Sequence, residues 1–139
     1  MSAPAKACAL RDFRRPRLWL GIWCFGLVLC VVLSLVSPPQ MDVYLPEGDK
    51  LGHLLAYGLL SGWSVMLFAS PRARWRAAAG LVVLGVAMEF AQGTLTSDRM
   101  LDVRDMLANA IGVLSGQLLS LTPLGLLLQR WDQRLFGLR

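Results

Sequence analysis

Residues 18–36 form a run dominated by apolar side chains, in which the only ionisable groups are the thiols of Cys24 and Cys30. At about 1.5 Å of rise per residue, a helix of this length covers a hydrocarbon core of about 30 Å. The same character recurs along the chain. Hydrophobic residues make up 55% of the 139 positions, and the charged 17% fall between apolar blocks instead of alternating with them. Lipid is then the expected solvent of this chain, which sets aside soluble enzymes, disordered tails and disulfide frameworks. Arg11, Arg14, Arg15 and Arg17 precede the run as they would in a signal peptide. The run is too long for one, however, and no small-x-small cleavage site precedes Ser37, Pro38 and Pro39. A lipoprotein reading of residues 27–30 fails as well, because Leu29 is bulky where a small residue is needed.

The expected fold is all-α: a four-helix transmembrane bundle with an amphipathic C-terminal tail. A basic N-terminus (1–17) leads into a four-span membrane domain (18–128), with spans at about 18–36, 51–69, 77–92 and 106–128, and a tail (129–139) follows. The second span stops at Ser70-Pro71, and the third is short. Pro123 falls in the last third of the fourth, where a kink or the true helix end is expected. From Leu124 onward, leucines interleave with Arg130, Asp132 and Arg134, which suits a helix lying at the membrane surface. Cys8, Cys24 and Cys30 indicate no disulfide framework. Cys24 and Cys30 are about 9 Å apart along one helix, too far for a bridge.

Eleven of the fourteen Lys and Arg residues lie in the N-terminus, the turn with Arg72, Arg74 and Arg76, and the tail. The other two loops hold only Lys50, Arg99 and Arg104. The positive-inside rule therefore places both termini in the cytoplasm, with Trp19, Trp75 and Trp131 at the cytoplasmic interface and Tyr44 at the outer one. The net charge of +5 is topological, and nucleic acid drops out as a partner. Only Asp12 and Asp132 among the nine acids lie on the inner side, so any chemistry faces out.

The polar residues of the later spans are patterned. Asp49, His53 and Tyr57 recur every four residues and share one helix face, with Lys50 at its mouth. Glu89 and Gln92 share a face at the outer end of the third span. Arg99, Asp102, Asp105 and Asn109 lead into the fourth, followed by Gly112 and Gly116 on one ridge. An ionised carboxylate within a span costs several kcal/mol unless paired, which makes Glu89 a functional-site candidate. Asp102 and Asp105 would repel each other unless Arg99, Lys50 or a bound cation neutralised them.

In their order, Asp49-Lys50-x-x-His53-x-x-x-Tyr57, Glu89-x-x-Gln92 and Arg99-x-x-Asp102-x-x-Asp105-x-x-x-Asn109-x-x-Gly112 closely resemble the VanZ-like family of small bacterial membrane proteins. The resemblance covers residues 49–116, about half of the chain. It implies a multi-pass protein of the bacterial inner (cytoplasmic) membrane with a cell-envelope role. The family is named for a protein that raises resistance to the glycopeptide antibiotic teicoplanin, and it carries no settled biochemical activity.

Several functions are open to this pattern. His53 and Glu89 are candidate acid/base groups, with Asp49 and Tyr57 orienting the histidine. Lys50, Gln92, Arg99, Asp102, Asp105 and Asn109 are candidate ligand-binding groups, the cations for a lipid or isoprenoid phosphate. The expected partners are the bilayer itself and an envelope lipid or lipid-linked precursor. Asp49, His53, Glu89, Asp102 and Asp105 also offer a donor set for a divalent cation as cofactor, although their spacing matches no compact metal motif. The alternative is a noncatalytic membrane factor that binds a lipid, drug or partner protein, its polar residues forming a structural network. Ion or proton movement has no inverted repeat to support it. Gly58, Gly62, Gly112 and Gly116 read as close-packing positions, and Ser61, Trp63 and Ser64 as packing residues.

Overall fold

The structure, a computed structural model, describes residues 9–36, 48–95 and 102–137, apart from the side chain of Asp49. These residues are almost entirely helical: α1 (Pro16–Leu35), α2 (Gly48–Leu67), α3 (Pro71–Leu95), α4 (Val103–Gln117) and α5 (Leu127–Phe136). Two single 3-10 turns, Leu118–Leu121 and Pro123–Leu126, join α4 to α5.

Local chemistry sets the ends. Pro16 opens α1 and Pro71 opens α3, positions where a missing N–H costs nothing. Ser70 caps α3 by accepting from the Ala73 N–H at 3.2 Å. Asp102 caps α4 by accepting from the Arg104 N–H at 2.8 Å. Thr122 is extended, as a residue before proline prefers. The chain there bends by 84° between residues 103–121 and 123–136.

α2 lies at the centre, packed on α1, α3, α4 and α5. It runs parallel to α4, since His53, Gly58 and Gly62 meet Asp105, Gly112 and Gly116 in turn. α1 and α3 run the other way. The α2–α4 backbones approach closely because neither side has a Cβ in the way. A Cβ on Gly116 would stand 2.5 Å from the Gly58 oxygen and 2.7 Å from the Gly62 nitrogen, and one on Gly112 would strike the Leu54 carbonyl. The seam is completed by hydrogen bonds from Ser61 Oγ to the Val113 carbonyl (2.7 Å) and from Gln117 Nε2 to Ser61 Oγ (2.8 Å).

The exterior is apolar. Phe25, Leu59, Val83, Phe90, Ile111 and Leu118 are all well exposed, on four different helices or the turn after α4. α1 and α3 are long and apolar enough to cross a membrane, and the bent α4–α5 pair would make a third such element. α2 has the length of α1 but carries Asp49, Lys50, His53 and Tyr57, and protein surrounds it on several sides. By length and composition it is not apolar enough to count as a span, against the expectation of four.

Three expectations change. The third helix is not short: Arg72, Arg74 and Arg76 belong to its first turns, and it runs 25 residues. The fourth helix does not reach 128; its α-helical part ends at Gln117. The chain after Pro123 does not merely lie along a surface either. Leu128 packs with Phe13, Trp19 and Leu67, and Asp132 is fully buried. Asp132 accepts from the backbone N–H groups of Arg14 and Arg15 and from the Trp19 indole, capping α1 from the far end of the sequence. Trp19 is accordingly a core residue and not an interfacial ring, whereas Trp75 and Trp131 are exposed. Tyr44 lies outside the described residues.

Residues 9–11 pair with the end of α2 through Arg11 N–H to the Leu67 carbonyl (3.0 Å) and Ala69 N–H to the Ala9 carbonyl (2.9 Å). Arg11 also donates from Nη2 to the Val65 carbonyl, where a cation suits a helix C-terminus. Burial, and secondarily Arg74 nearby, lower its pKa. Both described chain ends thus sit at one end of the helices. The opposite end is made by the last turns of α1 and α3 and the first turns of α2 and α4.

Candidate functional site

At that opposite end three helices each turn one ionisable side chain to a common point. His53 stands on the second turn of α2, Glu89 near the end of α3 and Asp105 on the first turn of α4. His53 Nε2 lies 4.0 Å from Glu89 Oε1 and 3.9 Å from Asp105 Oδ2. One ligand atom from each of the three residues lies within 4.8 Å of the other two, and all three residues are buried. The α2–α4 register fixed by the glycines sets this meeting, because His53 and Asp105 project from helices whose backbones touch one to two turns deeper.

One turn further in, the same helix faces carry Tyr57 and Asn109, each 1% exposed. Gly85, four residues before Glu89, leaves room there: a Cβ on it would stand 3.0 Å from the Asn109 side chain. Tyr57 interacts electrostatically with Glu89 and with Cys30 of α1. Its hydroxyl is buried with only the weak Cys30 thiol as partner, and both polar side-chain atoms of Asn109 are buried without a hydrogen bond. Gln92, one turn beyond Glu89, donates from Nε2 to the Ser34 carbonyl at 2.7 Å and ties α3 to the end of α1.

Among the described residues, His53 borders a cleft. This cleft, of about 250 Å³ between α1 and α2, is lined by Cys30, Leu33 and Ser34 on one wall and by Gly48, Gly52 and His53 on the other. Low polarity around a histidine and two carboxylates strengthens every electrostatic interaction with whatever enters.

Of the residues singled out from the sequence, His53, Tyr57, Glu89, Gln92, Asp105 and Asn109 gather here. Lys50 is half-buried at the head of α2, three residues before His53. Asp102 is spent on capping α4 and lies outside the three-residue centre. Asp49 belongs to the first turn of α2, but its side chain is outside the described residues, as is the whole of Arg99. α1 also contributes, although the sequence pointed to no site residue on it. Its signal was slight: Ser34 is the single hydroxyl in residues 18–36, one turn from Cys30.

No family profile, no curated protein and no solved structure matches this chain.

Proposed function

We propose that this is a VanZ-like, four-span protein of the bacterial cytoplasmic membrane, with both termini in the cytoplasm, whose outward-facing polar centre takes the headgroup of an envelope lipid or lipid-linked cell-wall precursor. The observation that supports it most is the buried gathering of His53, Glu89 and Asp105 at the end opposite both described chain ends, among helices that expose many large apolar side chains. Charge asymmetry supports the orientation, since eleven of the fourteen cationic residues belong to the segments on the side of the termini. The cleft between α1 and α2 supports a lipid as visitor, because a headgroup can reach His53 while its chains stay along apolar helix faces. His53 and Glu89 are the acid/base candidates and Lys50 a cation for the headgroup. An envelope role of the kind associated with glycopeptide resistance follows from the sequence resemblance alone.

Lipids carried through purification by wild-type protein and by His53→Ala and Glu89→Gln variants, identified by mass spectrometry, test this reading. A lipid class enriched on the wild type and lost from both variants, at unchanged protein abundance, is the expected result. Abundance falling in step with any envelope phenotype would favour the second reading, a noncatalytic factor whose buried network is structural.

A further inference from the structure

The centre brings together two carboxylates and one imidazole. One ligand atom of each lies within 4.8 Å of the other two, and all three residues are buried. Lys50, the nearest cation in sequence to His53, stands one turn toward the helix end.

The donor atoms have the arrangement a cation needs. Ligands at about 2.0–2.2 Å from a metal stand roughly 3.0–3.6 Å apart in common geometries. The separations of 4.0 and 3.9 Å from His53 Nε2 exceed that by little, so small side-chain rotations close them. The three donors come from three helices whose spacing is fixed by backbone contact, which makes the site pre-formed. A second, independent observation points the same way. The Asn109 amide, 1% exposed, lies one turn beneath the centre without a hydrogen bond, and the equally buried Tyr57 hydroxyl has only the weak Cys30 thiol as partner. Buried polar groups are rarely left so in a finished site. Each can bond to a water or oxygen ligand completing a metal's coordination.

We infer that His53, Glu89 and Asp105 bind one first-row divalent cation of the Zn²⁺ or Mn²⁺ type, with Tyr57 and Asn109 bonded to its remaining oxygen ligands. An imidazole donor disfavours Mg²⁺ and Ca²⁺, which prefer all-oxygen sets. Three protein ligands leave coordination positions open, and a phosphate oxygen is the natural anionic occupant. The inference therefore deepens the headgroup reading, on which it rests for its second part only: the lipid class is phosphate-bearing.

The test is metal content. Wild-type protein carrying a histidine-free tag is exposed to micromolar ZnCl₂, dialysed against buffer with millimolar Mg²⁺, and measured by elemental mass spectrometry. The expected result is about one zinc per chain, together with a thermal midpoint that falls by several degrees on chelation and recovers with zinc. His53→Ala and Asp105→Asn should each lower retained zinc at least tenfold, and Tyr57→Phe should retain it with weaker affinity. Wild-type protein that keeps less than about a tenth of an equivalent, or a His53→Ala/Asp105→Asn double variant that keeps as much as wild type, overturns the inference. The wild-type arms stand even if the variants do not fold. Zinc bound without any enriched lipid would leave the metal site intact and defeat the headgroup reading; lipid enriched without zinc would do the reverse.

Discussion

The indole N–H of Trp19, in the first helix, donates to the carboxylate of Asp132, in the last, at 2.8 Å and across 113 residues of sequence. Together with the N–H groups of Arg14 and Arg15, this makes one buried carboxylate the fastening point between the two described chain ends. Asp132→Ala would leave one buried and two part-buried donors without their acceptor and is expected to cost roughly 2–4 kcal/mol. Trp19→Phe, which removes one donor and keeps most of the packing, should cost about 1 kcal/mol. Thermal unfolding in detergent checks both, and an Asp132→Ala protein as stable as wild type would refute the fastening.

The α2–α4 seam makes a prediction of opposite signs. Gly112→Ala and Gly116→Ala push a methyl group into backbone atoms of α2 and should destabilise by at least about 2 kcal/mol, since no side-chain rotation relieves the clash. Gly80 has nothing within 4 Å of where its Cβ would stand. Gly80→Ala should be neutral or stabilising by up to about 1 kcal/mol, because alanine loses less entropy in a helix. Unfolding midpoints of the three variants, measured side by side, decide it.

Much of the site was readable in the sequence, for a physical reason. A polar residue inside an apolar helix must face protein, so spacings of three and four identified the inner faces of α2, α3 and α4 through His53 and Tyr57, Glu89 and Gln92, and Asp105 and Asn109. The glycine spacing identified the seam. What stayed hidden lacked such a marker. α1 joins the site through Ser34 and Cys30, and an almost wholly apolar helix does not announce which face meets protein. The end of α4 at Gln117 was masked by the leucines of residues 118–128, which are as apolar as a span but lead into Pro123 and a sharp bend. The burial of Asp132 rests on partners more than a hundred residues away, beyond any local pattern.

Gln92 should matter to the mouth of the site. Its bond to the Ser34 carbonyl joins α3 to the final turn of α1, which forms one wall of the cleft beside His53. Gln92→Ala is expected to cost about 1 kcal/mol and to loosen that wall. Faster backbone hydrogen exchange in the last turn of α1, with the first turns unaffected, is the expected signature; uniform exchange along α1 would argue against this role.

Tyr57→Phe separates stability from binding. The hydroxyl is buried with only the weak Cys30 thiol as partner, so removing it takes away a largely desolvated polar group while keeping the ring in the core beside Leu60, Leu81 and Val113. The variant should be as stable as wild type or more so, by up to about 2 kcal/mol, yet carry less of the enriched lipid. A clear loss of stability would mean that the hydroxyl serves the fold and not a ligand.

The central claim, that the His53, Glu89 and Asp105 centre opens away from the cytoplasm, is tested most directly by thiol accessibility in intact cells. With the three native cysteines replaced by alanine, Gly52→Cys places a thiol in the cleft beside His53 where there is open space for it. Gln133→Cys places one on α5 at the end that carries the chain termini. A membrane-impermeant maleimide should label position 52 in intact cells and position 133 only after permeabilisation; the reverse pattern would contradict the account.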